Sequence, residues 1–217
     1  MQWNVFVGCG FDCKYCEKSF QLQMKRQLHR CRRCYEYVPH FHRERLKQSL
    51  PLTRGDDFIW ACSSGDITFA KPEWITQVLR VIQEKPDRLF MLQTKNPIVF
   101  QKFKFPPNVA LTITLETNRD KDYRRISKAP LPSKRVRDFA AVKHERKFVT
   151  IEPILDFDVK EMVAALKQIQ PERVYLGYDS KGCRLPEPSL GKVLKLEAQL
   201  KKFTKVKRKL IRKAWWE

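Results

Sequence analysis

The sequence predicts an α/β fold: a partial (β/α)6 barrel with parallel strands, plus a basic C-terminal helical tail. Three observations carry this expectation. Six short runs rich in β-branched and aromatic residues recur along the chain. Most are continuously apolar rather than alternating, as strands covered on both faces are. Helical patterns separate them, so the connections read as crossovers and the strands as parallel. The length of 217 residues holds six such units but falls short of a closed eight-fold barrel, which takes about 250.

The elements follow in order. Trp3–Gly8 (WNVFVG) is the first strand and Phe58–Ser63 (FIWACS), bounded by RGDD and SGD, the second. Pro72–Glu84 is a helix with proline near its start and Trp74, Val78, Leu79 and Ile82 on one face. Strands at Arg88–Thr94 and Val109–Glu116 precede a helix over Ser133–His144. A strand at Lys147–Pro153 leads to a helix over Asp158–Gln170, with Asp158 as its cap and Met162, Leu166 and Ile169 at helical spacing. Arg173–Asp179 is the sixth strand. Leu190–Phe203 reads as an amphipathic helix, followed by the basic TKVKRKLIRKAWWE. The chain thus divides into a barrel over 1–187 and a basic extension over 188–217 that packs on or beside it.

No window carries about 18 uninterrupted apolar residues, and the first residues, MQWNVFVGCG, have no basic leader. A cytoplasmic protein with no membrane contact is expected. Its seven cysteines then read as metal ligands, catalytic groups or buried small hydrophobes rather than disulfides. The net charge is +20 and is clustered. Residues 189–217 hold ten Lys/Arg against two Glu, and residues 16–47 hold nine against three. A clustered excess of this size points to a polyanion, DNA or RNA, as partner.

The chemistry concentrates in VGCGFDCKYCEKSF, Val7 to Phe20. Cys9, Cys13 and Cys16 fall on the loop after the first strand, the edge on which parallel α/β folds carry their sites. Three thiolates on one short loop suit a [4Fe–4S] cluster with one iron left without a protein ligand; four would close it for electron transfer. An open metal position is where a substrate or cofactor binds. A second reading starts from the same residues. Cys13-x2-Cys16, then fourteen residues, then Cys31-x2-Cys34 is close to a zinc-ribbon pattern, with His29, His40 and His42 as further donors. On that reading the protein is a non-enzymatic, zinc-binding nucleic-acid module and Cys9 is a bystander.

The rest of the chain favours the cluster, because a zinc ribbon needs no array of βα units behind it. The second strand runs into Ser64, Gly65 and Asp66; the third ends at Thr94 and Lys95; the fourth ends at Glu116 and the fifth at Glu152. Acids and a lysine at successive strand ends do not read as core, since ionised groups are rarely buried unpaired.

The C-x3-C-x2-C spacing, with Tyr15 before the last cysteine, resembles the signature of the radical S-adenosylmethionine (SAM) superfamily. DDFIWACSSGDITFAKPEWITQVLRVIQEKPDRLFMLQTKNP is similar to a stretch of the radical-SAM-like phage protein family, whose activity is undefined. NVALTITLET, FVTIEPIL and VYLGYDSKG resemble its next strands, so the likeness runs from about Trp3 to Gly182. It extends more distantly to DNA-photoproduct lyases. The resemblance implies that a [4Fe–4S] cluster held by Cys9, Cys13 and Cys16 binds SAM and cleaves it reductively to a radical that abstracts hydrogen. It also implies a one-electron donor of flavodoxin or ferredoxin type. Tyr15 would lie against the adenine; Ser64, Gly65 and Asp66 would meet the methionine end; Thr114 and Glu116 would serve the ribose or carboxylate region. Glu152 and Asp179 would face SAM or substrate. Glu152, Lys95 and Cys183 are the candidates for a catalytic role. With the charge, the substrate implied is a nucleic acid or nucleotide, modified or repaired; a peptide or small metabolite is the alternative. Two features depart from the family: GYDSKG stands where a glycine–glycine–glutamate turn is usual, and HRCRRC is additional, opening a second metal site at Cys31 and Cys34.

Other residues read more plainly. Cys62 reads as packing and Cys183 as a loop thiol with no visible activator. Arg43 and Arg45, beside the histidines, could contact phosphate or simply face solvent. Trp215 and Trp216 read as a cap over the open barrel rather than as base-stacking groups.

Overall fold

The computed structural model describes residues 1–217. The chain forms β1 (Gln2–Trp3), β2 (Phe6–Val7), the short helices α1 (Lys14–Cys16), α2 (Leu22–Met24) and α3 (Arg32–Tyr35), then β3 (His40–Phe41) and β4 (Ile59–Ala61). It continues with α4 (Pro72–Gln83), β5 (Phe90–Thr94), β6 (Val109–Thr114), α5 (Pro132–Ala140), β7 (Lys147–Ile151), α6 (Val159–Ile169), β8 (Arg173–Leu176), α7 (Leu190–Leu200) and β9 (Lys205–Arg208).

Seven strands make one parallel sheet in the order β1-β4-β5-β6-β7-β8-β9. Spatial order follows chain order and never reverses. With crossovers of the usual right hand, every helix of such a sheet falls on one face. The packing agrees. Residues of α4, α5, α6 and α7 share a single core with Ile59, Phe90, Leu92, Leu111, Ile113, Val149, Val174 and Leu176. The alternate residues of the same strands, Met91, Ala110, Phe148 and Tyr175, pack together in a separate cluster with Trp60. The period of two along a strand therefore sorts the sheet into a helix-covered face and an inner face. Continuous apolar runs result because both faces are dry: all six residues of β6 are buried.

All six expected strands are present, but the first is split. β1 pairs with β4 in the main sheet, whereas β2 leaves it and pairs antiparallel with β3. Asn4 lies at the break. Its Oδ1 accepts from the Ser63 hydroxyl at 3.0 Å and the Ser64 amide at 2.9 Å, while the Val5 carbonyl accepts from the His42 amide at 2.7 Å. A side chain thus holds the end of β4 where a ladder bond would have stood.

The C-terminal segment is more than a helical tail. The expected amphipathic helix is α7, with Ser189 accepting from the Lys192 amide. Beyond it β9 adds a seventh strand, in register with β8. It is an edge strand with three cationic side chains, two of them tied back by Arg208 to Glu197 at 2.7 Å and by Lys207 to Asp56. Trp215 and Trp216 do not cap the sheet: they are 53% and 52% exposed. Their indoles donate to the carbonyls of Leu185 and Glu187. Asp158 stands at the cap position of α6, yet its carboxylate pairs with Arg119 instead of the helix amides. No helix is long and apolar enough to cross a membrane.

Gly8 is the most closely packed of the glycines. Its φ is +104°, and a Cβ there would lie 2.5 Å from the Val38 carbonyl carbon and the Pro39 nitrogen. Across the bridge that joins them, a Cβ on Gly65 would lie 2.8 Å from the Gly8 oxygen. Gly8→Ala therefore combines strain with a backbone clash, and is expected to cost on the order of 2 kcal/mol or more in a denaturant melt. Gly182→Ala, with positive φ but open space around it, is the control and is expected to cost less.

Candidate functional site

The inner-face side chains grow more polar along each strand. Met91 is followed by Gln93 and Lys95, Thr112 by Thr114 and Glu116, and Phe148 by Thr150 and Glu152. The apolar end is packed shut. Towards the C-terminal ends of the strands the face opens into a cavity of about 300 Å³, within the range of small-molecule sites. Ten expected site residues line it: Cys9, Cys13, Tyr15, Cys16, Gly65, Asp66, Lys95, Thr114, Glu152 and Asp179.

The cysteine loop is held by the segment 126–128. The Phe11 carbonyl accepts from the Lys128 amide at 2.7 Å, and the Lys14 amide donates to the Ile126 carbonyl at 3.0 Å. Cys9 Sγ accepts from the Phe11 amide, Cys13 Sγ lies 3.1 Å from Ser127 Oγ, and Cys16 Sγ is 3.9 Å from the Tyr37 hydroxyl. Burial, followed by Asp66, pushes the Cys9 thiol well up, and burial, followed by Cys13, raises Cys16. Burial here disfavours a bare thiolate at both positions.

Asp66 is committed to the scaffold. Its Oδ1 accepts from the Thr68 amide and the Thr94 hydroxyl, and its Oδ2 from the Lys95 amide at 2.8 Å. It ties the end of β4 to the end of β5. Ser64 lies behind the wall, buried, with its hydroxyl unpartnered. Cys62 is buried before it with φ +60°, its thiol pushed up to about 12 by burial.

Glu116 is not at the mouth, as the end of its strand suggested. It is wholly buried beneath the cavity. Oε2 accepts from Arg135 Nη1 at 2.7 Å, while Oε1 accepts from the Tyr15 and Tyr123 hydroxyls and lies 3.8 Å from Lys95 Nζ. Burial opposes the carboxylate, but Arg135 and Lys95 outweigh it and bring Glu116 down to about 2. Arg135 is equally buried, and two of its nitrogens have no hydrogen-bond partner. Its guanidinium sits 4.7 Å from the centre of the Tyr123 ring. Tyr15, expected against an adenine, directs its hydroxyl to this carboxylate, and Lys95 Nζ lies 5.3 Å over its ring.

The opposite wall is freer. Thr114 Oγ1 accepts from Gln93 Nε2 at 2.7 Å. The Glu152 carboxyl is raised by burial, partly offset by Lys209. Asp179 folds back on its own loop, where the amides of Lys181 and Cys183 donate to it, so its carboxylate is a loop brace. Cys183 lies on that loop outside the cavity wall, its thiol raised by burial. Gln93 and Thr150 were missed, although the period of two from Met91 and Phe148 reaches both. Tyr37, Ser127 and Arg135 came from distant segments and carried no local signal.

Cys31 and Cys34 lie apart from this cavity, with His40 and His42. The four donor atoms all lie within 4.8 Å of one another, a group that could hold a metal ion. Cys13 and Cys16 do not join it, so the four-cysteine ribbon expected from spacing does not form. His29 is exposed and outside the group.

Arg135→Met would leave Glu116 buried without its principal cation, at a cost of about 3–5 kcal/mol at pH 7. The folded-state value of Glu116 lies below its ordinary 4.5. Its stabilisation is therefore complete above about pH 4.5 and is lost as pH falls towards about 2. The gap between wild type and variant in denaturant melts is expected to narrow across that window; a constant gap would assign the cost to packing alone.

No curated protein matches the chain. Residues 1–170, from β1 through α6, match the family described as "Protein of unknown function (DUF5131)", and the chain belongs to that family.

Proposed function

We propose that the protein is a radical SAM enzyme built on a partial (β/α) barrel. Cys9, Cys13 and Cys16 would hold a [4Fe–4S] cluster, and the adjoining cavity would take SAM. One observation carries the reading: three thiols of one loop line the same cavity as a lysine and carboxylates from the strand ends. All three line the cavity and stand apart from the Cys31 group. Three thiolates would leave one of the four irons of such a cluster open.

When bound, the cluster supplies the electron that cleaves SAM to a hydrogen-abstracting radical. The protein's own residues bind and orient. The Gln93–Thr114 pair and Glu152 offer polar groups along the free wall, while Gly65 lets the backbone of the β4 end approach. Lys95 and the buried Glu116–Arg135 pair fix Tyr15 and the floor. The apolar plug of Met91, Ala110 and Phe148 closes the far end of the barrel to water.

The substrate favoured is a nucleic acid or nucleotide, modified or repaired. Exposed Lys181 lines the cavity. Exposed Lys18 donates to the Gly182 carbonyl beside it, and exposed Lys209 acts on Glu152. These lysines join the two basic segments to the mouth. A one-electron donor of flavodoxin or ferredoxin type would complete the reaction.

Anaerobically reconstituted protein is expected to hold about four irons per chain at the triplet. Reduction with SAM should yield 5′-deoxyadenosine, and the electron paramagnetic resonance signal of the reduced protein should shift when SAM is added. Cys13→Ala should abolish all three. A colourless, iron-free protein after reconstitution would overturn the assignment. DNA and RNA binding should weaken steeply across a salt series; a flat response would move the substrate to a peptide or small metabolite.

A further inference from the structure

We infer that Cys31, Cys34, His40 and His42 bind one zinc ion, and that this ion staples the segment that walls the cysteine-triplet cavity. The spacing suits a single tetrahedral ion. His40 Nε2 lies 3.4 Å from each sulfur, Cys34 Sγ lies 3.1 Å from His42 Nε2, and the two Nε2 atoms are 2.9 Å apart. A tetrahedron with Zn–S about 2.3 Å and Zn–N about 2.0–2.1 Å has edges of about 3.3–3.8 Å. Four of the six edges of the observed quartet, at 2.9–3.4 Å, lie at or just below that range, and all four atoms lie within 4.8 Å of one another. A cluster of two or more irons would hold its ligands further apart.

The hydrogen bonds decide the tautomers. The Val38 carbonyl, 2.7 Å from His40 Nδ1, can only accept, so that nitrogen carries a proton. His42 Nδ1 lies 2.9 Å from the Glu44 carboxylate and donates likewise. Both neutral rings then turn their Nε2 lone pairs toward one another and toward two sulfurs. Without a cation those lone pairs would meet head-on; with one they are its ligands, oriented by carbonyl and carboxylate partners as metal-bound histidines generally are. Two sulfurs and two nitrogens, three of them on buried residues, make a closed, soft site. That donor set selects zinc over magnesium or calcium and marks a structural role.

The segment needs such a staple. Its own apolar cluster is only Val7, Met24 and Cys34, and β3 contributes two residues. Small lobes of this kind draw stability from metals. Its position gives the ion reach. β3 pairs with β2 directly before Gly8, Val38–Pro39 presses on Gly8, and Tyr37 enters the cavity wall beside Cys16.

Protein purified without added metal is expected to contain one zinc per chain, and X-ray absorption at the zinc edge should show two sulfur and two nitrogen ligands. Because this is read on wild-type protein, it does not depend on a variant folding. Cys9→Ala, Cys13→Ala and Cys16→Ala combined should keep the zinc, whereas His42→Ala should lose it, so the result is independent of the iron assignment. A four-sulfur zinc site, iron in this site, or no metal would overturn the proposal. For the staple, removing zinc with a chelator should move the first tryptic cuts into residues 22–48; an unchanged pattern would refute that role.

Discussion

At Gly8 three segments of chain meet with no space for a methyl group. The cysteine loop begins there, the end of β4 lies against it through Gly65, and the Val38–Pro39 backbone closes the third side. A contact between bare backbones transmits position rigidly, because there is no side chain to yield. Whatever fixes the Cys31–His42 segment therefore also fixes where Cys9 leaves the sheet. The hydrogen bonds around the contact run the same way: the Gly8 amide donates to Ser64, and the Asp66 amide donates to Gly8. Asp66 then reaches Thr94 and Lys95. A chain of hydrogen bonds thus links the ends of β2, β4 and β5 around one rim of the cavity.

The floor is built by a different means. Glu116 and Arg135 are fully buried, and removing two charges from water is costly. An apolar pair of equal volume would serve stability as well. What the ionic pair adds is direction: Glu116 accepts from Tyr15 and Tyr123 at one oxygen while Arg135 occupies the other. Tyr15 stands between Cys13 and Cys16, so the orientation of the triplet loop is set partly by a carboxylate beneath it. The two unpartnered guanidinium nitrogens show that the pairing is incomplete. Stability is given up there for orientation, as is usual near functional sites.

Much of this architecture was legible in the sequence, and what was not has identifiable causes. The interior strands were visible because burial on both faces makes them continuously apolar. β9 was not, because an edge strand reading KVKR shows one apolar residue, Val206, among solvent-facing cations. The split of the first strand was invisible because the Asn4 break and the pairing with His40–Phe41 are set by residues about 35 to 60 positions away. Glu116 was misplaced for a related reason. From sequence, a strand-end acid points to the mouth; its cation comes from α5, whose SKRVRD stretch reads as solvated. Cys31 and Cys34 were recognised by spacing, yet spacing alone could not choose between Cys13 and Cys16 and the two histidines as their partners. The β2–β3 pairing makes that choice, since it turns His40 and His42 back over α3.

The two groups of sulfur donors are distinguished by convergence rather than by count. Four atoms that meet within 4.8 Å describe a point, and a point fits one ion with every position filled. Three sulfurs along the wall of a 300 Å³ cavity describe a surface with room in front of it. A closed site contributes folding free energy and excludes solvent; an open one leaves a metal position for a ligand. A short loop bearing three cysteines has little to hold it except the segments it touches, and one of those segments carries the four-donor group. On the proposed reading, a closed zinc site would lie behind the open one, on the far side of Gly8, and would stiffen the cavity wall while leaving it polar and accessible.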